Sequence, residues 1–480
     1  MTIVPLDCVA LRRLIVCVFL LPIASGAAAA PLPVPVAAAL EQAGVPAADV
    51  AVVVRPAEGG EAIVSWNAAR PMSPGSLIKL VTAYAALRVL GPAHRWRTEA
   101  LADAALRDGA LAGNLYLRGG GDPALGVEQL WLLIKQLRAA GLRHIGGDLV
   151  LDRGRFAPAP HDPGAFDGEP LGPYNVGADA LLVGFNSIAI RLVAARGKVE
   201  SAAALLPDRV EIANLLQPAD GPCDEWKDAV RVDLFRHPGG PARLVLTGSL
   251  SGECGERVLQ VALPDHDLYF DGLFRRLWRE AGGTIAGALR EGTAPDAATR
   301  LAHVDSPPLA QLLRDMNKLS NNAMARQLLL TLGAERGARP AREEDGARAV
   351  LDVLQQDGLD FPELVIENGS GLSRRERISA GSLARLLAAA WAGPLMAEFA
   401  GSLAIAGVDG TARSRLAGTA AAGRAHLKTG SLRGVRGVAG YVLDRAGRRW
   451  IVVFIANHPD AAATRPPQDA LLRWVHDGAK

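Results

Sequence analysis

The feature that most constrains this chain is a short apolar stretch carrying a serine and a lysine three residues apart. Residues 71–92 read Pro-Met-Ser-Pro-Gly-Ser-Leu-Ile-Lys-Leu-Val-Thr-Ala-Tyr-Ala-Ala-Leu-Arg-Val-Leu-Gly-Pro. Pro74 and Gly75 lead in, and Gly91 and Pro92 lead out, the punctuation of a helix. Leu77, Leu80, Val81, Tyr84 and Leu87 recur at helical spacing, which predicts burial of most of the surface. Ser76 and Lys79 share one face. The positive end of the helix dipole lies under the hydroxyl and favours negative charge developing there.

Such a pair can make a nucleophile, because a serine hydroxyl needs a base to take its proton. A lysine serves as that base only when part of its population is neutral. Burial and a second cation both lower a lysine pKa. Ser76-x-x-Lys79 therefore predicts another positive residue nearby in space. The pattern is short, and a surface helix could carry it by chance. Composition weighs against chance. Of 52 Lys+Arg only seven are lysine: 79, 135, 198, 227, 318, 428 and 480. Where a generic cation suffices this chain uses arginine, which cannot act as a basic amine.

A chain of 480 residues predicts two or three domains. A net charge of +2 argues against nucleic acid as a partner. Residues 1–29 read as a cleaved export signal: Arg12 and Arg13 precede the apolar run Leu14 to Leu21, and small residues follow from Ala24 to Ala30. The run is too short for a permanent membrane anchor, which needs about 20 apolar residues. No later stretch is long enough to span, so a periplasmic or otherwise exported location without a stable membrane span is expected. Cys8 and Cys17 would leave with the signal. Cys223 and Cys254 remain, either as a disulfide or as two free thiols. Two cysteines are too few for structural zinc, and the nine histidines form no ligand-spaced pair, so no metal is expected.

Residues 31–70 predict a short helix and a hairpin, Ala51 to Arg55 and Ala62 to Trp66, lying against the Ser76 helix. Residues 98–262 change character. Short β-like runs (Asn114 to Arg118, Gly147 to Leu151, Ile188 to Val193, Ala242 to Leu246) alternate with turns, and one helix spans about Val127 to Ala140. This predicts an inserted, mostly β domain. From 263 the chain reads as helical: Asp267 to Ala281, Pro308 to Lys318, Ala323 to Leu332, Arg342 to Gln356, then helices around 380–402. A glycine-rich loop, Gly369-Ser370-Gly371-Leu372-Ser373-Arg374, interrupts them. Strands His426 to Leu432, Gly437 to Leu443 and Trp450 to Ile455 close the chain and can join the hairpin in one antiparallel sheet. The expected organisation is thus a signal (1–29), one domain formed by 30–97 with 263–480, and the insert.

Three short motifs stand in order: Ser76-Leu77-Ile78-Lys79, Ser320-Asn321-Asn322 and Lys428-Thr429-Gly430. Together they resemble the penicillin-binding protein and serine β-lactamase superfamily. The 244 residues from Ser76 to Ser320 are similar in layout to the low-molecular-mass class C penicillin-binding proteins, the D-alanyl-D-alanine carboxypeptidase/endopeptidase family. Gly120-Gly121-Asp122-Pro123, the 369–374 loop and Lys428-Thr429-Gly430-Ser431-Leu432 resemble that family too. Asn368 departs from its usual Asp-Gly-Ser-Gly, and Pro173 to Asn186 matches only loosely. The resemblance implies an α+β fold, with a penicillin-binding transpeptidase domain carrying the insert. It implies that Ser76 attacks the penultimate D-Ala carbonyl of a peptidoglycan stem peptide and forms an acyl-enzyme, with β-lactams as inhibitors. It implies Lys79 as base and Ser320 as proton donor to the leaving amine. Asn322 would bind the acyl chain. Lys428 and Thr429 would bind the terminal carboxylate, with Gly430 bare beside the substrate. The Ser76 and Ser431 N–H groups would form the oxyanion hole. No cofactor is implied.

Singly, the later motifs have plainer readings. Ser320-Asn321 could cap the following helix, and Lys428-Thr429-Gly430 could be an edge strand guarded by a lysine. Two other functions compete with the peptidase: a serine β-lactamase, and a penicillin-acylated receptor without catalysis. The long insert, and no deacylating Glu loop between the first two motifs, argue against the β-lactamase. The lack of a membrane span argues against the receptor.

Overall fold

The structure is a computed structural model describing Thr2 and residues 31–195, 197–236 and 240–479. The expected export signal lies outside the described residues apart from Thr2. The motif-bearing body is built on a six-stranded antiparallel sheet. Its strands run in the order Val64–Trp66, Val50–Pro56, Arg449–Asn457, Val435–Leu443, Ala425–Leu432 and Ala404–Ile405. The N-terminal hairpin and the C-terminal strands meet as expected. Residues 450–456 are all buried. Ile451, Val453 and Ile455 enter one core, while Trp450, Val452, Phe454 and Ala456 enter another. A strand covered on both faces reads as an unbroken apolar run.

One face is covered by the helices Val34–Gln42 and Arg465–His476, through Val36, Leu40, Leu471, Leu472 and Val475. The other carries Lys79–Leu90, Leu309–Leu319, Asn322–Glu335, Glu343–Gln356 and Ala380–Ala392. The serine lies in a tight 3₁₀ turn, Gly75–Ile78, which passes directly into the helix Lys79–Leu90. Residues 79–87 of that helix are all buried. A helix apolar all round belongs at the centre of a core, and this one is walled by the other helices of that face. Gly91, at φ 76°, ends it.

The insert differs from expectation at its far boundary. The helix His266–Glu280 and the strands Thr284–Ile285, Leu289–Glu291 and Thr299–Asp305 belong to the β-rich body, not to the domain expected from 263 onward. Tyr269, Phe270, Leu273, Phe274, Leu277 and Trp278 bury their side chains in the insert's core. Strand Thr299–Asp305 pairs antiparallel with Arg97–Ala102, so the chain enters and leaves on neighbouring strands, with Arg97 opposite Asp305. An Arg97–Asp305 ion pair at 2.7 Å closes this stem. We therefore set the insert at about 97–305. Its main sheet runs Leu289–Glu291, Leu149–Asp152, Leu115–Arg118, Arg97–Ala102, Thr299–Asp305, with the helix Val127–Ala139 feeding Leu130, Leu133, Ile134 and Leu137 into the shared core.

Nor is the insert a detached appendage. Phe156 and Ala180 pack with Leu330, Ala334 and Ala341, and Val176 and Leu182 pack with Ala323. Gln327 donates to the Asp179 carbonyl at 2.7 Å. Residues 156–182 therefore lie along the helix Asn322–Glu335, which carries the second motif.

Cys223 and Cys254 form a disulfide. It ties the segment before the strand Val230–Arg236 to the turn Gly252–Cys254, far from the three motifs in sequence. Replacing both cysteines by serine should lower the insert's unfolding free energy by roughly 3–4 kcal/mol, from the loop the bond closes. Denaturant unfolding measures this. Penicillin labelling of Ser76 in the folded variant should keep its parental rate.

Candidate active site

The three motifs converge where the Ser76 turn, the junction between two helices and the strand Ala425–Leu432 meet. Lys79 and Lys428 are both 0 % exposed. Lys79 Nζ donates to Ser76 Oγ at 3.0 Å, to Asn322 Oδ1 at 2.7 Å and to the Ser370 carbonyl. Lys428 Nζ donates to Ser320 Oγ and to the Thr429 carbonyl, each at 2.8 Å. The site thus has two hydrogen-bonded halves, Ser76–Lys79–Asn322 and Ser320–Lys428.

Local geometry separates the roles in Ser-Asn-Asn. Ser320 ends the helix Leu309–Leu319 in the left-handed region, φ 59°. Asn321 is the N-cap of the next helix, its side chain accepting from Met324 N–H at 3.0 Å. The capping role thus falls to Asn321 alone, which frees Ser320 for Lys428 and puts Asn322 on the first turn facing Lys79. Asn322 also donates to the Tyr174 carbonyl at 3.0 Å. The loosely matching 173–186 stretch is therefore the segment that meets the site.

Burial is the largest influence on Lys79 and holds its pKa well below the usual lysine range. The positive charges of Lys428 and Arg326 push it further down, and the Glu376 carboxylate opposes them. Burial brings Lys428 down to about 7. The expected second cation is present, and Arg326 is a third that the sequence did not single out. Its register on the second-motif helix, one turn beyond Asn322, was the available signal.

Gly430 lies against the nucleophile turn. A Cβ there would stand 2.8 Å from the Pro74 carbonyl oxygen and 3.3 Å from Leu77 Cγ. Gly437 is its cross-strand partner, and a Cβ there would stand 2.7 Å from Leu77 Cδ1. The glycine pair opens a slot in the sheet for Leu77, so the nucleophile turn lies directly on the strand. The bare face is turned to that turn. Thr429 Oγ1 donates to Thr411 Oγ1 at 2.7 Å, and Ser431 accepts from Arg436. The neighbouring strand Ala404–Ile405 pairs with Leu427 and His426, and, among the described residues, 428–432 have no strand partner on that edge.

A buried Ser–Lys pair, a second lysine beside a serine and an open strand edge are a set of groups that acyl transfer through a serine ester can use. The model of the D-Ala-D-Ala carboxypeptidase 3 (S13) family matches residues 33–477. The chain belongs to this family. Within it, the chain is 30% identical to the D-alanyl-D-alanine carboxypeptidase of an Actinomadura species over 464 residues, 93% of this chain and 85% of the relative. It is 28% identical to the D-alanyl-D-alanine carboxypeptidase DacB of Haemophilus influenzae, covering 82% of each. The crystal structure of penicillin binding protein 4 from Haemophilus influenzae superposes with a TM-score of 0.76 at 26% identity, covering 92% of this chain and 99% of that one. The same protein complexed with a β-lactam superposes at 0.72 and 25% identity. The α+β penicillin-binding fold expected for the family is the fold observed.

The glycine slot gives a direct test. Gly430→Ala should push the Pro74–Leu77 turn off the strand and slow acylation of Ser76 by about 10²-fold, the scale of a 1 Å misplacement. Stopped-flow acylation with a fluorescent penicillin, beside a melting curve showing the variant folded, checks it.

Proposed function

We propose that this family member is a serine-type D-Ala-D-Ala carboxypeptidase/endopeptidase acting on peptidoglycan stem peptides and acylated by β-lactams. The observation that carries this reading is Lys79 Nζ, fully buried and 3.0 Å from Ser76 Oγ. An amine in that position has lost its hydration and faces Lys428 and Arg326. It is neutral at a pH where an exposed lysine is charged, so it can accept a proton.

In the proposed reaction the Ser76 proton passes to Lys79 as Oγ bonds to the penultimate D-Ala carbonyl carbon. The oxyanion is held by the Ser76 and Ser431 N–H groups, each such donor being worth about 3 kcal/mol in other enzymes. The C–N bond then breaks, and Ser320, backed by Lys428, passes a proton to the leaving amine. Water hydrolyses the ester by the reverse proton path. The substrate backbone lies along the unpaired edge of residues 428–432, as an added strand. Asn322 binds its acyl chain, and Thr429 with Lys428 binds the leaving residue's carboxylate.

The proposal includes export. Arg12, Arg13 and the apolar run after them support a cleaved signal, and the Cys223–Cys254 bond suits an oxidising compartment such as the periplasm. Among the described residues no helix is long and apolar enough to cross a membrane.

Lys79→Arg keeps the charge and most of the stem but holds its proton to about pH 12 and beyond. Penicillin acylation of Ser76 should fall by about 10²–10⁴, the usual worth of general-base help, with a melting temperature near the parent's. Lys428→Arg can still hold a carboxylate and should lose less acylation rate and more substrate affinity. Acylation rate against penicillin concentration, with mass mapping of the adduct to the Ser76 peptide, checks both. Incubation with isolated peptidoglycan should release D-Ala or cleave cross-linked peptides. An adduct elsewhere, or Lys79→Arg at parental rate, overturns the assignment.

A further inference from the structure

Glu376 is 0 % exposed, and the reaction as written leaves it unused. Its Oε1 accepts three consecutive backbone N–H groups, from Gly369 at 2.9 Å, Asn368 at 3.0 Å and Glu367 at 3.2 Å. Successive amides converging on one oxygen form a cradle for negative charge. The loop they fix touches both reacting groups. The Ser370 carbonyl accepts from Lys79 Nζ. The Gly369 carbonyl accepts from Thr82 Oγ1 at 2.8 Å, one turn along the nucleophile helix. Gly371, at φ 90°, lies so close to the nucleophile turn that a Cβ would stand 2.2 Å from the Gly75 oxygen and 2.6 Å from the Ser76 nitrogen.

The charges facing Lys79 come from each wall of the site: Lys428 from the strand, Arg326 from the second-motif helix and Glu376 from the loop. Glu376 faces Lys79 in turn and also acts on Arg326, on which Glu343 acts from the next helix. Glu367, on the same loop, is engaged by Ser373 and Arg375. Burial pushes the Glu376 carboxyl up, while its three amides and the charge of Lys79 favour the carboxylate, the one negative group acting on Lys79 among Lys428 and Arg326.

We propose that Glu376 is a positioning residue for Lys79. Its carboxylate fixes the 367–371 loop so that the Ser370 carbonyl holds Nζ on Ser76, and its charge sets the pH at which Lys79 becomes a base. The proposal rests on Lys79 being that base. A negative charge favours the protonated amine, so Glu376 acts against burial, Lys428 and Arg326. Removing the charge makes Lys79 easier to deprotonate. The neutral base should then persist to lower pH, and the acid limb of acylation should move down.

The test is the rate of Ser76 acylation by a penicillin between about pH 5 and 9 for the parent, Glu376→Gln and Glu376→Asp. Glutamine keeps an acceptor oxygen for the amides and loses the charge. Its acid limb should fall by about one pH unit, the lower end of the effect of a nearby opposite charge, while its plateau stays within about tenfold of the parent's. Aspartate keeps the charge but is one methylene short. Its acid limb should stay in place while its plateau drops by about tenfold or more, as the loop loosens. A Glu376→Gln limb that is unmoved or moves up overturns the electrostatic role. A Glu376→Asp plateau equal to the parent's overturns the holding role, and is readable even if the glutamine variant does not fold. A parent profile with no acid limb overturns the Lys79 assignment itself, which separates that failure from the others.

Discussion

The structure depends on one unfavourable act, the burial of an amine. Lys79 is 0 % exposed, inside a helix whose residues 79–87 are all buried. A lysine taken out of water there must be satisfied by hydrogen bonds and largely gives up its charge. Its three acceptors come from three places: Ser76 on its own turn, Asn322 on a second helix and Ser370 on a loop. Each acceptor fixes one wall of the site. The helix is central because its lysine has to be dry, and the walls are close because its donors have to be met.

The sheet supplies the precision that hydrogen bonds alone do not. Leu77 sits in the slot left by Gly430 and Gly437, which fixes the height of the Ser76 turn above the strand. Lys428, two residues before Gly430, then reaches Ser320 from the same strand. Van der Waals contact with backbone yields far less than a long side chain does. The distance between the nucleophile and the strand N–H groups is therefore set by packing, before any substrate arrives.

Much of this was legible in the chain. The Ser76 helix announced itself by its apolar spacing, its Gly/Pro punctuation and a lysine in an arginine-rich composition. The central strands announced themselves as unbroken apolar runs, which is how strands covered on both faces must read. The far edge of the insert was not legible. His266–Glu280 is an amphipathic helix in a stretch rich in helices, and nothing local says which core its apolar face will enter. That is decided by the pairing of Thr299–Asp305 with Arg97–Ala102, about 200 residues apart in sequence. The contact that Gly430 makes with the nucleophile turn was hidden for the same kind of cause, since the atoms that exclude a Cβ belong to Pro74 and Leu77. Arg326 and Glu376 act on Lys79 through space and carry no motif of their own.

The division of the site into two halves bears on how one apparatus can both make and break an ester. Acyl transfer needs a proton taken from Ser76 and a proton given to the leaving amine. A single lysine serving both would have to move between them, and Lys79 is held by three acceptors. In the proposed reaction the second task falls to Ser320, whose hydroxyl is held by Lys428 on the strand that also bears the leaving residue. Burial brings Lys428 down to about 7. Lys79 is held well below the usual lysine range by burial first, and then by the positive charges of Lys428 and Arg326. When one lysine is protonated the other is discouraged from being so. In the proposed reaction the two lysines serve different steps, Lys79 taking the Ser76 proton and Lys428 backing Ser320 as it gives one to the leaving amine.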